Sequence, residues 1–383
     1  MTLEPKPHEP LPVRSRAANV WASVRGFVRR NRTESVVMLI ALVVFASAVI
    51  PSPFAIERPG PVVDVLGDIE LEGEAVPVLK VEGERETASS HQANEGALNL
   101  LTVSIAGSPQ QPLGWLALIP ALFDPSQKIA RVAEYYPEGV TVEQREEYNS
   151  LQMDASQVQA AAAAFTQLGL EVGTTLSIGG VDEAGPAAGK LKTGDVLNKV
   201  NGEPLQNFEQ LLETVSAADG PIEFEIAREG EIRIESVQPK APGPGEDPRL
   251  GVVISTTFEL PQQVDISVPN IGGPSAGLIF GLAILDRLGE TSTLNGLTVS
   301  GTGTLNARGE VGAIGGLTQK AWAASQAESD LFLMPMANCG DVEGFPSDLT
   351  VAPVATLAEA EAALESAAAG HAVAGLERCG LEG

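Results

Sequence analysis

The sequence has 383 residues and a formal net charge of −26 at pH 7, and aromatic residues make up only 4% of it. That length allows two or three domains, each with its own core. The negative charge excludes a nucleic-acid partner, because a phosphate backbone would be repelled. With few aromatic side chains, the cores must be built largely from Val, Leu, Ile and Ala.

Charge is unevenly distributed near the N-terminus. Arginines cluster before Glu34, and the 22 residues 35–56 (SVVMLIALVVFASAVIPSPFAI) carry no charge. As a helix this segment is long enough to span a bilayer, and the arginines predict a cytoplasmic N-terminus. We therefore predict a basic cytoplasmic tail at 1–34, a single transmembrane helix at 35–56 and an extracytoplasmic remainder, which makes the chain a cell-membrane protein. A signal peptide cleaved after Ala46-Ser47-Ala48 and a buried soluble helix are the alternatives.

The chain has two cysteines, Cys339 and Cys379. Outside the cell an even pair is more economically a disulfide than two free thiols. The sequence has no Cys/His cluster suited to zinc. We expect neither a metal nor a cofactor.

Residues 161–240 show the pattern of a small domain. The runs TTLSIGGV, DVLNKVNG, PIEFEIAREG and EIRIESV predict strands, and NFEQLLETVSAA predicts a helix. Through VDEAGPAA, LKTGDVL and VNG the stretch resembles a bacterial PDZ domain. The resemblance implies that peptide or protein C-termini bind by adding a strand beside a helix. The groove would be formed by Leu176, Ile178, Phe208, Leu211 and Leu212, and the alternative is that these residues are core.

One segment inside this region is similar to a phosphate-binding loop. Gly185–Lys190 (GPAAGK) is one residue too short for that motif, and Leu191 stands where Ser or Thr is needed. We therefore expect no nucleotide.

A Pro/Gly-rich linker at 241–248 (APGPGEDP) precedes two predicted strands and a helix that runs from near Pro274 to Gly289. The helix is apolar almost all round until Asp286, so it should be buried. At its start, Gly273-Pro274-Ser275-Ala276-Gly277 fits the G-x-S-x-G turn that presents a nucleophilic serine.

A nucleophilic Ser275 needs a base. The order Ser275, then Asp330 or Asp341, then His371 matches an α/β hydrolase triad, but that fold needs more strand-helix repeats before its serine. This alternative is therefore weak.

Lys320 is the other candidate base, and it is the only lysine after Lys240. With Thr318 as N-cap it would sit in the first turn of a helix, where the helix dipole disfavours a cation. Apolar neighbours also disfavour charge, and a neutral lysine acts as a general base. The alternative is a surface lysine on an Ala-rich helix.

Together the two motifs resemble the proteolytic domain of Lon-type Ser/Lys proteases: GPSAG, then GEVGAIGGLTQK with Lys320 45 residues after Ser275. With VSGTGTL and DLFLMPMAN the likeness covers about 251–364. The resemblance implies Ser275 as nucleophile, Lys320 as base and Thr302 as the residue that orients the lysine. We expect backbone at Gly272, Gly273 and Ser275 to hold the oxyanion and admit substrate.

With ERPGP at 57–61, the whole chain resembles membrane-anchored PDZ/Lon-domain proteins of Gram-positive bacteria. It departs from ATP-dependent Lon in lacking an ATPase domain, and Gly272 stands where an aspartate is common. We expect an α+β fold with one N-terminal transmembrane helix, a PDZ domain and a Lon-type α/β domain at 249–370. Residues 57–160 form an extracytoplasmic α/β region that can pack on the protease domain, and 371–383 form a C-terminal tail.

The predicted function is that of a membrane-anchored, ATP-independent extracytoplasmic serine endopeptidase. Its partners would be polypeptide substrates, either membrane or secreted proteins, and a homo-oligomer is possible. The alternative is a non-catalytic PDZ adaptor whose Lon-like domain serves only for assembly.

Overall fold

The computed structural model describes residues 32–71, 73–84, 96–137, 139–241, 243, 245–289 and 293–380. Most of the predicted basic tail lies outside these residues. The chain divides into two compact units: one takes residues up to Arg58 with Ile105–Val140, and the other takes Pro59–Ser104 with everything from Thr141 onward.

The α-helices of the described residues are α1 (Arg32–Val49), α2 (Val132–Tyr135), α3 (Val142–Gln167), α4 (Phe208–Ser216), α5 (Gly277–Leu288), α6 (Leu317–Gln326) and α7 (Leu357–Ala368). The strands are β1 (Phe54–Asp64), β2 (Asp68–Leu71), β3 (Glu74–Pro77), β4 (Leu79–Val81), β5 (Ala97–Ala106), β6 (Lys128–Arg131), β7 (Gly173–Val181), β8 (Val196–Val200), β9 (Glu203–Pro204), β10 (Ile222–Arg228), β11 (Glu231–Val237), β12 (Val252–Glu259), β13 (Val264–Ile266), β14 (Thr298–Gly301), β15 (Thr304–Leu305), β16 (Val311–Gly312), β17 (Leu331–Pro335) and β18 (Val351–Val354).

The smaller unit contains α1 and the antiparallel pairing of Phe54–Glu57 with β6. Its core is small and is centred on Ile56, Leu118 and Ala121. The helix predicted for 35–56 ends at Val49, because Pro51 and Pro53 cannot continue it and β1 begins at Phe54. Within the described residues, no helix combines the length and apolarity that crossing a membrane requires. The predicted transmembrane helix is therefore not supported.

The larger unit has two sheets. In the first, β18, β17, β14 and β5 run parallel, and β1 lies next to β5 in the strand order. Helix α5 packs among the strands and helices of this part, and every residue from Gly277 to Arg287 is buried. The prediction of a buried apolar helix ending at Gly289 is confirmed. Because α5 is packed on all sides, its first turn, which follows Ser275, is held in place.

The second sheet is antiparallel, with strand order β11-β10-β8-β7-β12. It closes over its own core, which includes Leu176, Leu211 and Phe224. The predicted strands and helix of this region are confirmed. In the turns between them, Gly194, Asn201 and Gly202 have positive φ angles.

β12 belongs to a different sheet from the one that the predicted domain boundaries imply. β12 follows the 241–248 linker, yet it pairs with β7 from Val252↔Val181 to Glu259↔Gly173 and is the last strand of the antiparallel sheet. The linker is therefore a loop that returns the chain to the same sheet. Alternation of exposed and half-buried residues along β12 fits a sheet edge.

Candidate active site

Ser275 lies in the turn that leads into α5. Gly273 has a φ of +92°, a conformation that favours glycine. The Ser275 carbonyl accepts hydrogen bonds from the Gly303 N–H at 2.9 Å and from the Thr302 hydroxyl at 3.1 Å. The turn is thus fastened to the segment after β14, and Ser275 is held half-buried.

Lys320 is the fourth residue of α6, which begins at Leu317 after Gly316 with a φ of +67°. Thr318 is therefore inside the helix and is not its N-cap, and its hydroxyl donates instead to the Glu343 carbonyl. Lys320 still lies in the first turn, as predicted. Its side chain is buried, with 3% exposed, so the prediction of a surface lysine is excluded.

The side chains of Ser275, Lys320 and Thr302 meet in one cluster. The Lys320 Nζ lies 2.7 Å from Ser275 Oγ and 2.9 Å from Thr302 Oγ1. Thr302 is fully buried, and its N–H donates to the Leu333 carbonyl of β17. The amine is therefore aimed at the serine hydroxyl by a side chain that the parallel sheet holds in place. Burial disfavours the charged form of such an amine.

The glycines before the serine have a different role from the one predicted. A Cβ on Gly272 would lie 2.8 Å from the Asn149 Cβ, so this glycine makes room for α3 and not for substrate. The Gly273 N–H donates to the Asn149 carbonyl at 2.8 Å and is already used. In the described part of the chain, no hydrogen bond uses the N–H of Ser275. The Gly272 N–H likewise makes no hydrogen bond among these residues, so two of the three predicted oxyanion donors, Gly272 and Ser275, stay predictions.

Sequence reasoning missed α3 as a support of the site. Ser156 of this helix is buried and donates its hydroxyl to the Pro274 carbonyl at 3.1 Å. Ser156 and Asn149 together bind the turn at the Pro274 carbonyl and at the Gly273 N–H. Nothing in the local sequence marks Asn149 and Ser156 as residues that bind the turn before Ser275. The one available signal was Ser156 itself, a polar residue next to an Ala-rich run that is expected to be buried.

A cleft of about 330 Å³ opens at Ser275. We call it the serine cleft, and it is lined by Pro274, Ser275, Thr304, Ala313, Ile314 and Gly315. The wall opposite the serine is a glycine- and alanine-rich backbone segment after β16. A peptide can approach such a wall closely because few side chains obstruct it.

The predicted peptide groove of the antiparallel sheet was assigned to the wrong strand, β7. Leu176 and Ile178 are 2% and 1% exposed, and β7 is paired on both edges, so no strand can add to it. Leu211 is likewise core, whereas Phe208 and Leu212 are exposed. The strand that faces a cleft with Phe208 is β12, through residues that include Ile254 and Thr256.

The two cysteines form a disulfide, Cys339–Cys379, across 40 residues. The bond joins the turn after β17 to the segment 376–379, which packs on the same core as Phe332. The remaining triad candidate, His371, lies exposed after α7. In the described residues the side-chain partner of Ser275 is Lys320 and not a histidine.

Comparison with known proteins agrees with this geometry. Residues 260–366 match the family model of the Lon protease (S16) C-terminal proteolytic domain. The Lon protease of Aster yellows witches'-broom phytoplasma is 33% identical over 91 residues, which is 23% of this chain and 11% of that protein. The Lon protease of Chloroflexus aggregans is 28% identical over 185 residues, which is 46% of this chain and 21% of that protein. The chain therefore spans only a small part of these relatives.

Among solved structures, the PDZ domain of an SdrC-like protein from Listeria innocua matches 21% of this chain and 91% of its own, with 17% identity and a TM-score of 0.20. The corresponding domain from Listeria monocytogenes matches 21% of this chain and 85% of its own, with 14% identity and a TM-score of 0.20. Residues 260–366 are thus similar to the C-terminal proteolytic domain of Lon proteases, and this similarity supports a protease.

Proposed function

We propose that the chain is a serine endopeptidase in which Ser275 is the nucleophile and Lys320 the general base. The observation that carries this proposal is the 2.7 Å contact between Lys320 Nζ and Ser275 Oγ, made by a lysine that is only 3% exposed. A buried amine is able to act as a base at neutral pH because burial favours its neutral form.

The chemistry follows from these positions. The neutral amine accepts the Ser275 proton as Oγ attacks a peptide carbonyl, and the carbonyl oxygen becomes an oxyanion facing the Ser275 N–H. The C–N bond then breaks as the lysine returns the proton to the leaving amine. A water molecule, deprotonated by the same lysine, attacks the acyl-enzyme and releases the carboxylate product and the serine hydroxyl.

Thr302 is a positioning residue in this scheme. Its oxygen accepts from the lysine amine while its hydroxyl proton is directed to the Ser275 carbonyl. One side chain thus ties the base to the backbone of the nucleophile.

We propose that the reaction needs no ATP. The Gly185–Lys190 segment is a turn of the antiparallel-sheet region, where the Lys190 amine donates to the Ser236 carbonyl. This lysine is engaged with the protein's own backbone, and that contact supports the proposal.

We also propose that the protease works in an oxidising, extracytoplasmic compartment. The support is the disulfide between Cys339 and Cys379, since such bonds persist mainly in secreted, periplasmic and cell-surface proteins. We further propose that the antiparallel sheet binds peptides, and that the peptide pairs with β12 and not with β7.

The test is hydrolysis of β-casein by the purified protein and by Ser275→Ala and Lys320→Met. Both variants should lose about 10⁴-fold or more in kcat while keeping the circular dichroism spectrum of the unmodified protein. Lys80→Met is the matched control, because Lys80 is exposed on β4, and it should cut casein normally. Unchanged turnover in Ser275→Ala or Lys320→Met contradicts the proposal.

A further inference from the structure

The serine cleft is one end of a continuous path. It shares Pro274 and Thr304 with a cleft of about 410 Å³, which we call the middle cleft. The middle cleft shares Ala155, Gln159 and Asn306 with a larger cleft of about 960 Å³, which we call the edge cleft. Helix α3 lines both the middle and the edge cleft, so one helix face extends from beside the nucleophile to the antiparallel sheet.

The edge cleft ends at an open sheet edge. One side of β12 pairs with β7, and β12 is the last strand in the order of its sheet. Ile254, Thr256 and Phe258 of this strand line the cleft together with Phe208 of α4. A strand at a sheet edge offers backbone N–H and C=O groups to another extended chain. The natural occupant of this end is therefore a polypeptide backbone.

The charges along the path favour the same occupant. Arg308 lies 2.6 Å from Glu310 and 3.4 Å from Glu209, so the charged groups of the wall largely satisfy one another. Amide side chains of Gln152, Gln159 and Asn306 line the middle cleft. Such amides both donate and accept hydrogen bonds, as a peptide backbone requires.

We infer that a single extended polypeptide occupies the edge, middle and serine clefts at once, so that β12 holds the same molecule that Ser275 cuts. This inference rests on the proposed peptidase function. Ala155 and Gln159 of α3 would then contact the substrate between the two ends of the path. Binding at the antiparallel sheet would select which polypeptides reach Ser275 of the same protein molecule. The substrate class is polypeptide with an unstructured segment beside the cut bond.

The length of α3 sets how long that segment must be. Residues from Gln152 to Thr166 line the path, and 14 steps of a helix at about 1.5 Å each span about 21 Å. An extended chain covers about 3.3 Å per residue, so roughly six residues are needed to cross the middle and edge clefts, in addition to those in the serine cleft. An eight-residue peptide centred on the cut bond has four residues on each side, which is too few to extend from the serine cleft to the far end of the edge cleft.

The test compares two probes: β-casein, which is unstructured, and an eight-residue peptide centred on the casein bond that the protein cuts fastest. In Ala155→Trp, a large side chain stands where the middle and edge clefts join. The ratio of kcat/KM for casein to kcat/KM for the peptide should fall at least tenfold. Ala358→Trp is the matched control, an exposed alanine on α7 outside the three clefts, and it should leave the ratio unchanged. A ratio in Ala155→Trp equal to that of the unmodified protein overturns the inference.

A second measurement does not depend on the folding of that variant. The photoreactive residue p-benzoyl-phenylalanine is placed at Ala155 or at Ala358 in the Ser275→Ala protein, which leaves casein intact. Casein should cross-link at 155 and not at 358, and equal cross-linking at both positions overturns the path. Failure of the proposed function is distinguishable, because casein cleavage would then be the same in the unmodified protein and in Ser275→Ala.

Discussion

The hydroxyl of Ser156 donates to the carbonyl of Pro274 at 3.1 Å, and this bond joins α3 to the turn that carries Ser275. Asn149, two helical turns earlier, receives the Gly273 N–H. The nucleophile turn is thus clamped by a helix that begins more than a hundred residues before it in the sequence. Its geometry depends on packing between two distant segments of the larger unit.

Gly272→Ala tests this clamp. The added Cβ would lie 2.8 Å from Asn149 Cβ, so either α3 or the turn must shift. We expect a loss of about 1–3 kcal/mol in the free energy of unfolding, typical of overpacking, and at least a tenfold loss in kcat/KM for casein. Gly340→Ala is the control, since its Cβ would meet open space. A Gly272→Ala protein with unchanged stability and activity would show that the contact does not constrain the turn.

Thr302→Val tests the positioning of the lysine. The change keeps the side-chain volume but removes the oxygen that lies 2.9 Å from Lys320 Nζ. A buried donor left without its acceptor costs about 1–3 kcal/mol, which corresponds to about a 5- to 150-fold fall in kcat. KM should stay constant, because Thr302 does not line the serine cleft. Thr302→Ser restores the oxygen and should recover most of kcat; a Thr302→Ser protein as slow as Thr302→Val would assign Thr302 to packing alone.

The disulfide predicts a redox-dependent stability. Cys339 and Cys379 close a loop of 40 residues, for which the chain-entropy model gives about 4 kcal/mol. Cys379→Ser should lower the thermal midpoint, and the unmodified protein in dithiothreitol should unfold at the same lowered temperature. Calorimetry with and without reductant checks this, and a midpoint that neither treatment lowers would remove the support for an oxidising compartment.

Asp195 and Arg228 predict a pH-dependent stability in the antiparallel sheet. Burial of the Asp195 carboxyl raises its pKa, but hydrogen bonds from the Arg228 side chain and the Lys192 N–H outweigh burial, so the pKa is lowered from the model-peptide value of 3.8. The two Arg228 bonds are each 2.7 Å long. Because the folded pKa is the lower one, the stabilisation is complete above the unfolded pKa and is lost as pH falls through the folded value.

Asp195→Asn should therefore lower the free energy of unfolding by about 3 kcal/mol at pH 7, since a buried charge loses its partner. The difference from the unmodified protein should shrink below about pH 4. Glu231→Gln is the control: its pair with Arg233 is exposed and should contribute less than about 0.5 kcal/mol. Denaturant unfolding at pH 7 and pH 3 measures both variants, and a difference that is independent of pH would contradict the electrostatic explanation.

Local patterns were sufficient to predict several parts of this protein. The helix after Ser275 is apolar on every side, and the strands from 173 to 237 alternate with a period of two, so burial and pairing followed from the residues themselves. The approach of Lys320 to Ser275 was implied by the resemblance of two motifs to Lon-type Ser/Lys proteases. The helix and each of the strands are encoded within about a dozen consecutive residues.

Long-range packing was not predictable in the same way. β12 was placed after a linker and so in the next domain, but its partner is β7, more than 70 residues earlier. Gly272 was interpreted as space for substrate because the helix that fills that space, α3, carries no local mark of its destination. Both errors have one cause: a sequence pattern identifies an element and the face it buries but not which distant element covers that face.

In the proposed mechanism Lys320 activates Ser275. An alkyl fluorophosphonate should modify the purified protein once, and mass mapping should place the adduct on Ser275. In Lys320→Met the labelling rate should fall at least a hundredfold, because the hydroxyl loses the amine that accepts its proton at 2.7 Å. An adduct on another residue, or an equal labelling rate in Lys320→Met, would contradict the account and favour a non-catalytic adaptor.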